Sequence, residues 1–156
     1  MDGFEQMLTK RSRRHFRVEV VPYVDDYDIS VVPILDATHL RKGYELYRHL
    51  KAKNLDINNF GYDYSLFEAM NNSPFWQFLL VRKKNTAEIC GMMFCYVNQA
   101  NNSFNPVLIG MQPEEEGRLV LYRQCFFRLY GTRKAKDIQK FTSVFLLFLR
   151  SVSLER

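Results

Sequence analysis

The residue types able to ligate a metal or attack an electrophile are few in this sequence and widely spaced. Three cysteines, Cys90, Cys95 and Cys125, and three histidines, His15, His39 and His49, are scattered through 156 residues. No two cysteines have CxxC spacing and their number is odd, so neither a zinc site nor a disulfide framework is expected, and no metal cofactor. Unpaired thiols fit a reducing compartment, and a cytoplasmic location is expected. Carboxylates concentrate in "QPEEEGR", where Glu114, Glu115 and Glu116 are consecutive. Cations concentrate in "KRSRRHFR", residues 10–17, five of whose eight residues are Lys or Arg. A run of this kind reads as a solvated face, or alternatively as a contact for phosphate or RNA. Tyr96 and Glu88 could donate or accept a proton beside a sheet, although a tyrosine on a strand is more often core.

The elements that must position these residues follow from periodicity and punctuation. Residues 3–17 read as a short helix, stopped before Pro22, which disfavours helical geometry in the residue preceding it. Tyr27–Pro33 is a strand candidate. Asp36 caps a helix from about Ala37 to Lys53, with Leu40, Tyr44 and Tyr47 on one face. Ser65 and Glu68 have the spacing of a capping box at the start of a second short helix, which Pro74 ends. Phe75–Lys83, Cys90–Asn98 and Phe104–Met111 then form an antiparallel meander through the turns "KNTAE" and "NQANNS". These strands are apolar on both faces and require cover on both sides. Pro106 cannot donate to a ladder, so a bulge or unpaired stretch is expected there. After "QPEEEGR" the sequence is amphipathic and helical, with Leu121, Cys125 and Leu129 four apart.

Composition narrows the class. The length suits one domain, taken as 1–156, with 1–26 as a basic N-terminal arm. A hydrophobic content of 47% marks a globular chain. The net charge of +5 permits a phosphate-bearing ligand without demanding one. "SVFLLFL" is the longest apolar run, far short of the roughly 20 residues of a membrane helix, so no membrane partner is expected. The N-terminus lacks the apolar core of a signal peptide.

The order of elements resembles the GNAT acyltransferase fold, an α/β (α+β) mixed sheet whose antiparallel meander is flanked by helices. Three blocks carry the resemblance: "LDINNFGYDYSLFEAMNNSPFWQFLLV", "ICGMMFCYVNQANNSFNPVLIGM" and "VLYRQCFFRLYGTRKAKD". They are similar to successive blocks of the branch associated with pyridoxal-phosphate enzymes of the α-oxoamine synthase type and related to Fem-type transferases. The resemblance spans about residues 8–142. It implies an acyl-CoA donor and an amine acceptor, with a pyridoxal-phosphate enzyme as a possible partner. It also implies a bulged strand edge for the pantetheine arm and a helix N-terminus for the diphosphate. Carried onto this chain, those positions are Ile109, Gly110 and Met111, then Arg118, Tyr122 and Arg123. Catalytic residues are not assigned by it. The sequence departs from the family in having "QPEEEGR" where acyl-CoA-using members carry a glycine-rich loop. Gly117 is its one glycine, and three glutamates fall where the diphosphate is expected.

The tail, residues 143–156, does not resemble the family's ending. Codons compatible with it permit, one frame away, "LGFSA", two further positions and "EKRKFGA", which does. A frameshift near Thr142 is therefore expected, leaving the sheet without its C-terminal strands. Three functions compete: an N-acyltransferase-like domain, inactive if truncated; a non-catalytic accessory or remnant domain packed on a partner enzyme; and an RNA-binding module. The third lacks the motifs of the common RNA-binding folds.

Overall fold

The computed structural model describes residues 9–53, 61–100, 103–116, 121–125 and 127–128. Helix α1 spans Lys10–Glu19, its first turn capped by Thr9, whose side chain accepts from the Ser12 N–H. It ends where Val20 and a 3₁₀ turn at Val21–Tyr23 bring in Pro22, as the proline requires. Strand β1, Tyr27–Val32, precedes α2, Ala37–Lys53. Asp36 accepts from the His39 N–H at 2.8 Å and so caps α2 as expected.

The start of α3, Tyr64–Asn71, corrects the expected capping box. The N-cap is Asp63, whose Oδ1 accepts from the Leu66 N–H and from the Ser65 hydroxyl. A carboxylate one position before the turn outcompetes a hydroxyl inside it as acceptor, and Ser65 becomes a donor to the cap. Asn71 at the other end of α3 exchanges two hydrogen bonds with the Leu35 backbone, tying α3 to the approach of α2.

Strands β2 (Trp76–Lys83), β3 (Ile89–Asn98) and β4 (Ser103–Met111) form with β1 an antiparallel sheet of order β1-β2-β3-β4 among the described residues. Alternation divides its side chains between two buried layers. Phe78, Leu80, Met92, Phe94 and Leu108 pack under α2 and α3 with Leu40, Tyr47 and Phe67. Tyr27, Leu79, Val81, Met93, Cys95, Ile109 and Met111 form the opposite layer with Leu121, Tyr122 and Cys125. Phe67 is fully buried, its ring edge-on to Phe94 and close to Tyr44 and Tyr47.

Two glycines set how closely the layers approach. A Cβ on Gly110 would lie 2.5 Å from the Tyr47 nitrogen and 2.6 Å from the Leu46 carbonyl carbon, so the α2 backbone rests directly on β4. A Cβ on Gly91 would collide with the Leu121 side chain from the other side. Helix α1 joins this second layer from outside. Phe16 meets the Phe127 ring, Gln124 donates to the Val20 carbonyl at 2.5 Å, and Arg123 pairs with Glu19.

Candidate functional site

The third meander strand contains the break that Pro106 predicts. Phe94 pairs with Leu108 and Cys95 with Pro106, so Val107 has no partner on β3 and stands 41% exposed. A bulge at this point bends the strand away from its ladder. Among the described residues the sheet ends at β4, and its outer edge carries no strand.

The direction of the edge groups follows from one hydrogen bond. The Gln112 N–H donates to the Cys90 carbonyl at 2.8 Å, which makes Cys90 and Gln112 a hydrogen-bonded pair. Antiparallel pairs alternate between bonded and non-bonded. Gly110 and Leu108 therefore spend their polar groups on β3, through Met92 and Phe94, while Met111 and Ile109 aim N–H and C=O outward. The side chains of Ile109 and Met111 are core. What they present at the edge is backbone. Gly110 serves α2 rather than the edge, because the space beside its Cα is filled by the Leu46–Tyr47 backbone.

The chain beyond Met111 turns one of the three glutamates away from the expected anion site. Gln112 donates its side-chain amide to Glu88 at 2.5 Å. Helix α4, Pro113–Glu116, then turns back over the sheet. Glu115 is buried, accepting from the Tyr27 hydroxyl at 2.5 Å and pairing with Lys83 Nζ at 2.8 Å. Burial and this hydrogen bond push the Tyr27 hydroxyl's pKa upward, and the Glu115 contact raises that of Lys83. One of the three carboxylates thus points inward, satisfied by two partners, and Glu114 is exposed.

The remaining sequence-predicted residues fall as follows. Tyr122 is buried in the layer shared with Ile109 and Met111, and burial raises its hydroxyl's pKa. Arg123 lies beside it in sequence, partly desolvated and paired with Glu19 of α1. Arg118 lies outside the described residues. Tyr96 stacks edge-on against Trp76, and Glu88 is engaged with Gln112. All three thiols are buried and unpaired; burial, with Glu115 nearby, pushes Cys90 up to about 12, which removes it as a nucleophile at neutral pH. The inward glutamate and the Glu19–Arg123 pair had no local signal in sequence, since their partners are remote along the chain.

No family model and no curated protein matches this chain. Solved structures match its fold. The L-PGS structure from Bacillus licheniformis superposes with a TM-score of 0.58 at 12% identity, covering 88% of this chain and 41% of that one. The ribosomal-protein-S18-alanine N-acetyltransferase from Escherichia coli gives 0.56 at 14% identity, covering 83% and 76%. A predicted acetyltransferase from Clostridium acetobutylicum, solved with acetyl-CoA, gives 0.53 at 13%, covering 76% and 80%. At these identities the likeness is one of fold. The fold is GNAT-like: a mixed α/β architecture whose antiparallel sheet, four-stranded among the described residues, is flanked by helices.

Proposed function

We propose that the chain is an N-acyltransferase-like domain that accepts an acyl group from acyl-CoA and passes it to an amine. The observation that carries this reading is the bulged β4 edge, where Ile109 and Met111 direct paired donors and acceptors outward. A pantetheine arm contains two amides and adds to such an edge as a further strand would. The fit is good at backbone level: alternate groups face out, and Val107 opens the ladder beside them. When bound, the thioester supplies an acyl carbon whose C–S bond breaks as the C–N bond forms, the amine giving up a proton and the thiolate gaining one. The residues' part is to hold the arm and to present the acyl carbon at the bulge. The proton leaves directly or through water, and no side chain is assigned as its acceptor.

In this reading Arg123 contacts the phosphate arm, and Tyr122 packs behind it in the buried layer. Arg123 would exchange Glu19 for a phosphate, so Glu19→Gln should tighten binding and Arg123→Ala should weaken it. Met111→Pro tests the edge itself. Proline removes an N–H that the ladder does not use, but it also removes a core side chain. Met111→Ala, which empties the same core position and keeps the N–H, is its control, and donor binding should fall in the proline variant well beyond the alanine one. Unchanged acetyl-CoA affinity in Met111→Pro would sink the edge reading. Wild-type affinity should be weak, with a Kd above about 10 μM, because "QPEEEGR" replaces a glycine-rich loop.

The same departure favours a second reading, a non-catalytic accessory domain packed on a partner enzyme, of which the pyridoxal-phosphate α-oxoamine synthase type is the candidate. Absence of acetyl-CoA binding together with co-purification of such an enzyme would support it. The tail belongs to the proposal as well. Residues 143–156 lie outside the described residues, and the nucleotide sequence after the Thr142 codon decides whether "EKRKFGA" stands in another frame. The buried, unpaired thiols accord with a cytoplasmic setting.

A further inference from the structure

The chain leaves β4 at the donor edge and must go somewhere. It could continue outward over that edge, or fold back across the sheet. Glu115 is what holds it back. Tyr27 and Lys83 are direct cross-strand partners on β1 and β2. Glu115 follows β4, two and three strands away, and lies 88 positions from Tyr27 in sequence. To reach both, the chain must recross β3 over the layer that contains Tyr27. Two further contacts agree with this path: the Gln112 N–H bonds to the Cys90 carbonyl, and the Gln112 side chain donates to Glu88. All these anchors lie on β1, β2, β3 or the turn before β3, away from the outer edge of β4.

We propose that Glu115 is a positioning residue for the donor edge: its clamp on Tyr27 and Lys83 pins Gln112–Glu116 over the sheet and keeps that stretch off the outward groups of Met111 and Ile109. This rests on the donor-edge reading above. It gives one of the unusual glutamates a role there: an ion pair between the buried Glu115 carboxylate and the partly exposed Lys83 ammonium sets the exit direction of the strand without a glycine-rich loop. Lys83 is the member that makes the clamp electrostatic. Tyr27 is the member that a neutral amide can still satisfy.

The test uses the full chain and titration calorimetry with two probes, acetyl-CoA and 4′-phosphopantetheine, on Glu115→Gln, Lys83→Met and the double variant. Glu115→Gln preserves shape and can still accept from Tyr27, so it keeps the fold where alanine would leave a cavity. Each single variant should weaken both probes about tenfold, and the double variant no further than either single, as for two residues acting as one unit. The parallel loss on the shorter probe locates the effect at the edge rather than at the nucleotide. A merely structural Glu115 would lower the melting temperature and leave the folded protein's affinities at wild-type values, which overturns the proposal. Additive losses overturn it too, since they deny the clamp. If the wild type binds neither probe, the donor-edge reading falls and takes this inference with it.

Discussion

Cys90 is enclosed between β2 and β4, its thiol directed to the Val81 carbonyl at 3.6 Å. A thiol is neutral when protonated, and burial favours that form, so folding raises its pKa from 9.0 to about 12. The stabilisation is complete below the unfolded value and drains away as pH rises from 9.0 toward about 12. The melting temperature should therefore fall across that window, and fall less in Cys90→Ala. At neutral pH, iodoacetamide should label native Cys90 far more slowly than the same residue in denaturant; equal rates would refute its burial. Arg123 makes a second prediction. Its pairing with Glu19 helps to dock α1, whose outer surface exposes Lys10, Arg11, Arg13 and Arg14. Arg123→Ala should loosen that helix and quicken tryptic cleavage within it, while the sheet stays resistant.

The elements were legible in sequence wherever a local rule decided them. Strands β2, β3 and β4 lie within a residue of the spans that alternation and turn residues predict, and the break in β4 was legible in Pro106 alone. The α3 cap was misread because Asp63 and Ser65 both satisfy cap chemistry, and only geometry decides which receives the Leu66 N–H. The inward turn of Glu115 could not be read at all. Three identical glutamates differ only in which one the recrossing chain presents to Tyr27 and Lys83. By helix propensity Gly43 is a weak point of α2, yet a side chain there would collide with the Met92 sulfur. That contrast yields a paired prediction. Gly110→Ala forces a methyl against backbone and should destabilise by about 1–3 kcal/mol, as overpacking does. Gly43→Ala meets the Met92 sulfur, with the Phe94 ring 3.0 Å away, but a thioether can rotate where backbone cannot, and about 1 kcal/mol of helix propensity offsets part of the crowding, so it should cost less than Gly110→Ala and urea midpoints should separate the two. Equal midpoints would mean that α2 does not rest on β4.

At the scale of the molecule, the net charge of +5 is unevenly held, with α1 contributing a basic outer surface. That face is expected to be solvated rather than a specific RNA site. Single-stranded RNA should bind weakly, with a log–log salt slope shallower than about −2, corresponding to fewer than about three phosphates engaged; a steeper slope would revive the RNA-binding reading. Among the described residues no helix is long and apolar enough to cross a membrane. The glycines of the sheet have a mechanical consequence for the whole body. Gly110 receives the α2 backbone on one side, and Gly91 receives Leu121 on the other. These are keyways rather than flat bearings. A helix seated in one cannot slip along the strand without first rising out of it, so shear between layers is blocked. Under load such a body would resist sliding and then part abruptly, layer from layer, instead of creeping.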